Sequence, residues 1–207
     1  MIKVGVVACE IMRGELEEVI KDDPDVVVRK YLEFGNHSFP DMLQQEVVKT
    51  IEEIKDSCDV VLVGFGRCRG LENLPQLVDA PILMVGNEDC ISILLTEDRY
   101  HKERKKEAGT YFMTPGWCEQ GVVGIKKTLH VEEVAKEREM DSDHLLRMIF
   151  RGYTRVLYID TGIKKDNELD YEKNAKEMAE KLKVKFEKTT GSLDIIEDLF
   201  SRTKSNI

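Results

Sequence analysis

Asp59-Val60-Val61-Leu62-Val63-Gly64-Phe65-Gly66-Arg67-Cys68-Arg69-Gly70 is the stretch on which the fold turns. Val60 to Val63 are apolar without a polar alternation. Such a run describes a strand covered on both faces, as inside a parallel sheet. It gives way to a glycine-rich loop, and in open parallel sheets ligands bind outside the carboxyl ends of the strands. The loop is not a dinucleotide fingerprint. Gly64 and Gly66 fit the first two positions of GxGxxG, but the third falls at Arg69 and Gly70 comes one place late. The glycines instead allow a tight turn and a close backbone approach to a ligand.

Outward from this strand the same alternation repeats. Towards the amino terminus, Lys3–Ala8 reads as a strand stopping at Cys9, and Glu10–Lys21 as a helix. Asp25–Phe34 is a strand ending at Gly35-Asn36-His37. A helix opens at Pro40-Asp41 with Leu43, Val47, Ile51 and Ile54 on one face. Towards the carboxyl terminus, Pro81–Val85 is a strand ending in Gly86-Asn87-Glu88-Asp89-Cys90. A helix runs to Leu95, and the charged stretch Glu97–Glu107 continues as a solvated helix face. Thr110–Thr114 is a strand, followed by a turn at Pro115-Gly116-Trp117-Cys118. Two helical stretches fill Val122–Phe150, with Asp141 or Ser142 as a cap. Arg155–Asp160 and Val184–Glu187 are strands, and Glu168–Lys183 and Leu193–Phe200 are helices. The pattern predicts an α/β fold: a doubly wound, mostly parallel sheet with helices on both faces, Rossmann-like. Residues 1–200 are expected to form a single α/β domain, with a two-lobe layout meeting near residue 109 as the variant. Residues 201–207 are expected to be a frayed tail.

The 207 residues are 42% hydrophobic and 34% charged, a globular composition with enough apolar surface for a sizeable core. The net charge of −9 argues against a nucleic-acid binder, which needs a basic face. No apolar run approaches the roughly 20 residues of a membrane span, and the first residues read as a strand rather than a signal peptide. A cytoplasmic protein is expected. Its odd number of cysteines, five, then speaks for thiols or metal ligands rather than disulfides.

Three cysteines follow the carboxyl ends of strands: Cys9, Cys68 and Cys90. Parallel strands share a direction, so the three are expected to converge. Converging thiolates favour soft or borderline metals, either zinc or an iron–sulfur cluster, and three ligands leave one position open. Packing as small hydrophobes, or a reactive thiol without metal, are the other readings. Cys58 precedes its strand and is expected at the opposite edge, and Cys118 near the rim of the cavity. His37 is a candidate ligand or general acid/base within reach of the thiols. Arg67 and Arg69 are candidates for binding an anionic group, and Trp117 for walling a pocket. Asp160-Thr161-Gly162 and Thr190-Gly191-Ser192 read either as anion-binding turns or as ordinary caps.

Several of these segments together resemble the domain-of-unknown-function family 1638: Ala8-Cys9, His37 to Pro40, Gly64-Phe65-Gly66-Arg67-Cys68, Asp89-Cys90-Ile91 and Gly109-Thr110-Tyr111-Phe112-Met113-Thr114-Pro115-Gly116-Trp117. The resemblance covers roughly residues 1–190. It implies a setting in methanogenic archaea and anaerobic bacteria, beside corrinoid-dependent methyl transfer, and it implies Cys9, Cys68 and Cys90 as the family's cysteines. Arg67, Arg69 and Glu88 depart from the pattern. The expected function is a metal- or iron–sulfur-binding protein that takes a small-molecule ligand in anaerobic one-carbon metabolism. An accessory protein for a corrinoid or methyltransferase partner, and a metal-free thiol transferase, are the alternatives.

Overall fold

The computed structural model describes residues 2–34, 40–68, 70–164 and 170–205. The chain divides into two compact units, Met1–Glu97 with Ser192–Ile207, and Asp98–Gly191. The first holds β1 (Val4–Cys9), β2 (Val26–Leu32), β3 (Val60–Gly64) and β4 (Ile82–Met84), in the order β2-β1-β3-β4 with every pair parallel. All five residues of β3 are buried, as its unbroken apolar run requires of an inner strand. The edge strand β4 is only half-buried.

Helices cover both faces of this sheet. After a 3-10 turn comes α1 (Arg13–Ile20), and after β2 comes α2 (Pro40–Ile54). Gly5 is the partner of Val61 and Gly64 of Ala8, so the two glycines belong to opposite faces of the pleat. A Cβ on Gly5 would stand 3.0 Å from Ile54 of α2, and one on Gly64 would stand 2.7 Å from Leu16 of α1. On the α2 face, Val7, Val61 and Val63 join Leu43, Val47, Ile51 and Ile54 in one core. Short helices α3 (Leu74–Leu77) and α4 (Cys90–Leu95) follow β3 and β4.

The second unit has its own sheet, β5 (Thr110–Met113), β6 (Arg155–Asp160) and β7 (Lys185–Thr190), ordered β5-β6-β7 and again parallel. Its helices are α5 (Glu97–Lys106), α6 (Pro115–Thr128), α7 (Val131–Glu137), α8 (Ser142–Ile149) and α9 (Tyr171–Leu182). α6 and α9 pack on each other, and with α7 and α8 they enclose a core around Met113, Val156 and Leu146. Tyr100 of α5 packs against Phe112, the opposite side of the pleat from Met113.

The α/β class, the parallel strands and the Rossmann-like layering agree with the sequence. Four details differ. The strands divide between two sheets. Pro115 opens α6 instead of a turn, since its missing N–H costs nothing at the first helical position. Three helices occupy the region between β5 and β6. The last helix, α10 (Asp194–Ser205), returns to the first unit and carries on past Phe200. Thr203 is buried in it, and Lys204 is held by Asp23 at 2.8 Å and Asp25 at 2.6 Å, so residues 201–205 are not a frayed tail.

Candidate functional site

The carboxyl edge of the first sheet gathers the three thiols. Cys9 is the last residue of β1, one beyond the Ala8–Gly64 pair that joins β1 to β3. The loop leaving β3 then lies directly on the turn leaving β4. The Arg67 N–H donates to the Asn87 carbonyl at 2.7 Å. A Cβ on Gly66 would stand 2.6, 2.8 and 2.9 Å from three backbone atoms of Asp89, so glycine alone allows this approach. Cys68 follows directly after Arg67, and Cys90 directly after Asp89.

Local hydrogen bonds fix the turn that carries Cys90. Asp89 caps α4: the Ser92 N–H donates to Asp89 Oδ1 at 2.9 Å, and the Asp89 N–H donates to Ser92 Oγ at 3.0 Å. This reciprocal box sets Cys90 at the first helical position. Asn87 Nδ2 donates to the Ser92 carbonyl at 3.1 Å and ties the turn to the helix.

The electrostatics of the thiols point one way. Burial pushes the Cys9 thiol up to about 12, against a backbone hydrogen bond from Ile11 that favours the thiolate; Cys68 and Glu10 add to the rise. Burial raises Cys68 first and the Asp89 charge second, against backbone hydrogen bonds from its own N–H and that of Gly66. Burial holds Cys90 well above the usual thiol range, helped by Asp89, Cys68, Cys9 and Glu15. A helix amino terminus ordinarily lowers a thiol pKa. Here the six-residue α4 is outweighed by desolvation and the adjacent carboxylate. Cys9 feels Cys68, Cys90 feels both, and the charges that act on all three are negative.

Of the other predicted site residues, His37 and Arg69 lie outside the described residues. Arg67 is exposed, with Glu97 3.9 Å away. Trp117 belongs to the second unit, in the first turn of α6, edge-on to Tyr111 at 6.4 Å and packed on that unit's core. Cys118 is not a rim residue but part of the same core, and its carbonyl accepts from Asn174 Nδ2 at 2.8 Å. Cys58 sits against Gly5 near the start of β1, with its Sγ 3.4 Å from the Ile54 carbonyl, at the edge opposite the three thiols.

The sequence reading missed Glu15, which is fully buried and whose charge reaches Cys90. The signal was present. Glu15 stands four residues from both Ile11 and Val19, inside the apolar stripe of its helix. A carboxylate at such a position is a departure that asks for a purpose. Among the described residues, no three His, Cys, Asp or Glu side chains are close enough as they stand to hold a metal ion. Nor is any helix among them long and apolar enough to cross a membrane.

These observations define an α/β protein with parallel sheets and a thiol-lined strand edge. The model of the family described as "Protein of unknown function (DUF1638)" matches residues 31–200, and the chain belongs to that family. The match includes Cys68 and Cys90 and begins after β1, so it leaves Cys9 outside. No curated protein matches the chain. Among solved structures, one similar chain is a "putative aspartate carbamoyltransferase" of Leishmania major Friedlin, at 12% identity and a TM-score of 0.26, with 91% of this chain and 55% of that one covered. Another is a ketoreductase domain from the bacillaene assembly line, at 9% identity and a TM-score of 0.27, with 99% of this chain and 55% of that one covered. This chain thus spans 55% of the length of each, and at these values the likeness extends to neither activity nor ligand.

Proposed function

We propose that the chain is a metal- or iron–sulfur-binding protein, with Cys9, Cys68 and Cys90 as its ligands. One observation carries this reading: three thiols follow the ends of three parallel strands at one sheet edge, where the charges that act on them are negative. A soft cation inverts that balance, because a coordinated thiol gives up its proton. The donor set fits. Three thiols suit zinc or an iron–sulfur cluster, and backbone N–H groups directed at Cys9 and Cys68 are the hydrogen bonds that tune such sulfurs. The donors are not preset at bonding distance, so uptake of the ion includes rotation of the half-buried side chains. When bound, the ion supplies a Lewis-acid position open to a small-molecule ligand. The raised thiols are the reverse of what a metal-free thiolate nucleophile requires. The setting we propose, on the family resemblance, is anaerobic one-carbon metabolism linked to corrinoid methyl transfer, in the cytoplasm.

Anaerobic purification, metal analysis and a visible absorption spectrum test the reading. We expect near-stoichiometric zinc or iron, with thiolate charge-transfer absorption if the metal is iron. Less than about half an equivalent of any transition metal, with no uptake after reconstitution, overturns it.

A further inference from the structure

We propose that Cys68 and Cys90 form a dithiol pair, set by the contact of Gly66 with Asp89, that binds trivalent thiophilic centres without Cys9. The inference deepens the three-cysteine reading: it names which two thiols act first and what positions them. Its basis is the packing of two loops. The Arg67 N–H to Asn87 carbonyl bond is 2.7 Å long, and Gly66 approaches the Asp89 backbone so closely that a Cβ would stand 2.6 Å from its Cα. Each cysteine is the residue next to one of these contacts. Cys9 comes from a different strand and shares neither contact. Both residues of the pair are half-buried.

The probe is phenylarsine oxide, which reports two thiols within reach of one arsenic atom. Two As–S bonds form, the As=O bond is lost, and the two thiol protons leave with the oxygen as water. Arsenic remains trivalent, so no oxidant is needed. The full-length, metal-free protein is expected to bind one equivalent, and Cys9→Ser to bind as the wild type does. Cys68→Ser and Cys90→Ser are expected to lose the tight site, because the thiol left beside the Gly66–Asp89 contact has only Cys9, from another strand, for the second, intramolecular bond.

Gly66 is the positioning residue. Gly66→Ala keeps both thiols but forces the loops apart, and is expected to weaken arsenical binding at least about tenfold. Gly86→Ala is the control on the same turn, since a Cβ there meets nothing within 4 Å. It is expected to behave as the wild type. A merely structural Gly66 would lower the melting temperature and leave arsenical affinity unchanged, and that result overturns the proposal. So does loss of binding in Cys9→Ser, or no tight binding by the wild type. Should Gly66→Ala fail to fold, the three cysteine variants decide alone. Metal analysis of the same wild-type protein keeps the two readings apart: arsenical binding without metal leaves the pair standing and removes the metal centre.

Discussion

The two units each bury a set of ionisable groups and treat them in opposite ways. In the second unit, Arg155 has no exposed surface, yet its guanidinium is fully answered. Its Nε donates to Thr110 Oγ1 at 2.8 Å, one terminal nitrogen to Glu187 at 2.6 Å and the other to Glu103 at 2.7 Å, with Glu107 3.8 Å away. Burial works against this charge, and the hydrogen bonds to Glu103 and Glu187 overcome it. In the first unit, three thiols lie with the carboxylates of Glu15 and Asp89 near them; burial raises each thiol first, and the charges that add to it are negative. A set that carries its own counter-ions holds a fold together. The thiol set has no cation among the charges that shift it.

The largest expected effect breaks the self-contained set. Arg155→Met leaves Glu103 without its cation and Glu187 with Lys106 alone, and should cost about 3–5 kcal/mol in urea unfolding. Added zinc should not restore it. A loss under about 1 kcal/mol would place this cluster with exposed ion pairs, and the contrast would lapse.

The second prediction concerns the thiol set and the metal site proposed for it. Cys68→Ser should change the stability of the metal-free protein by less than about 1 kcal/mol, since it removes no counter-ion. Zinc at a hundred times its Kd should stabilise the wild type by about 2.7 kcal/mol, and Cys68→Ser by much less. Thermal unfolding with and without metal measures both. Equal stabilisation of the two proteins would remove Cys68 from the ligand set.

A third, smaller effect separates the units by pH. Cys9 has its pKa raised from an ordinary 9.0 to about 12, so between those values the folded state holds a proton that the unfolded state has lost. Stability from this group is complete below about pH 9 and fades as pH climbs towards 12. Cys9→Ser should flatten that alkaline decline. Glu187 behaves oppositely: Lys106 and then Arg155 hold its carboxyl below the usual range. Its stabilisation is present above the ordinary carboxyl pKa and fades as pH falls through the lowered one. Unfolding free energies across pH should therefore show the alkaline loss in a Cys9-dependent manner and the acid loss in a manner that depends on Lys106 first and Arg155 second.

What could be read from the sequence follows from which forces are local. The unbroken Val60–Val63 run gave β3 its inner place, and a shared strand direction was enough to bring Cys9, Cys68 and Cys90 to one edge. Strand β6 was legible to the residue, because Arg155–Asp160 is bounded by polar turns. The division into two sheets was not, since β4 and β5 read alike as short apolar runs and only pairing shows that they do not join. The Arg155 cluster was equally hidden. Its partners stand 52 and 32 residues away in sequence, and only the β6–β7 pairing and the placing of α5 bring them to one point. The segment from Pro115 was read as a turn because its loop-like Pro-Gly residues also open a helix.

The smallest predicted effect lies at Glu15, where the thiol set can be altered by charge alone. Its carboxylate is the weakest of the named influences on Cys90, after burial, Asp89, Cys68 and Cys9. Glu15→Gln keeps the shape and removes the charge. The Cys90 pKa should fall, and at fixed pH its thiolate fraction and alkylation rate should rise by no more than a few-fold, since each unit of pKa changes the thiolate fraction about tenfold. Cys68, whose named influences are burial, Asp89, its backbone donors and Glu72, should not shift. The comparison of two thiols in one protein cancels any general loosening of the fold, which would speed both. A Cys68 rate that rises with that of Cys90 would therefore mean that Glu15 acts by packing. A Cys90 rate that rises alone would show that the buried carboxylate acts on this thiol by its charge.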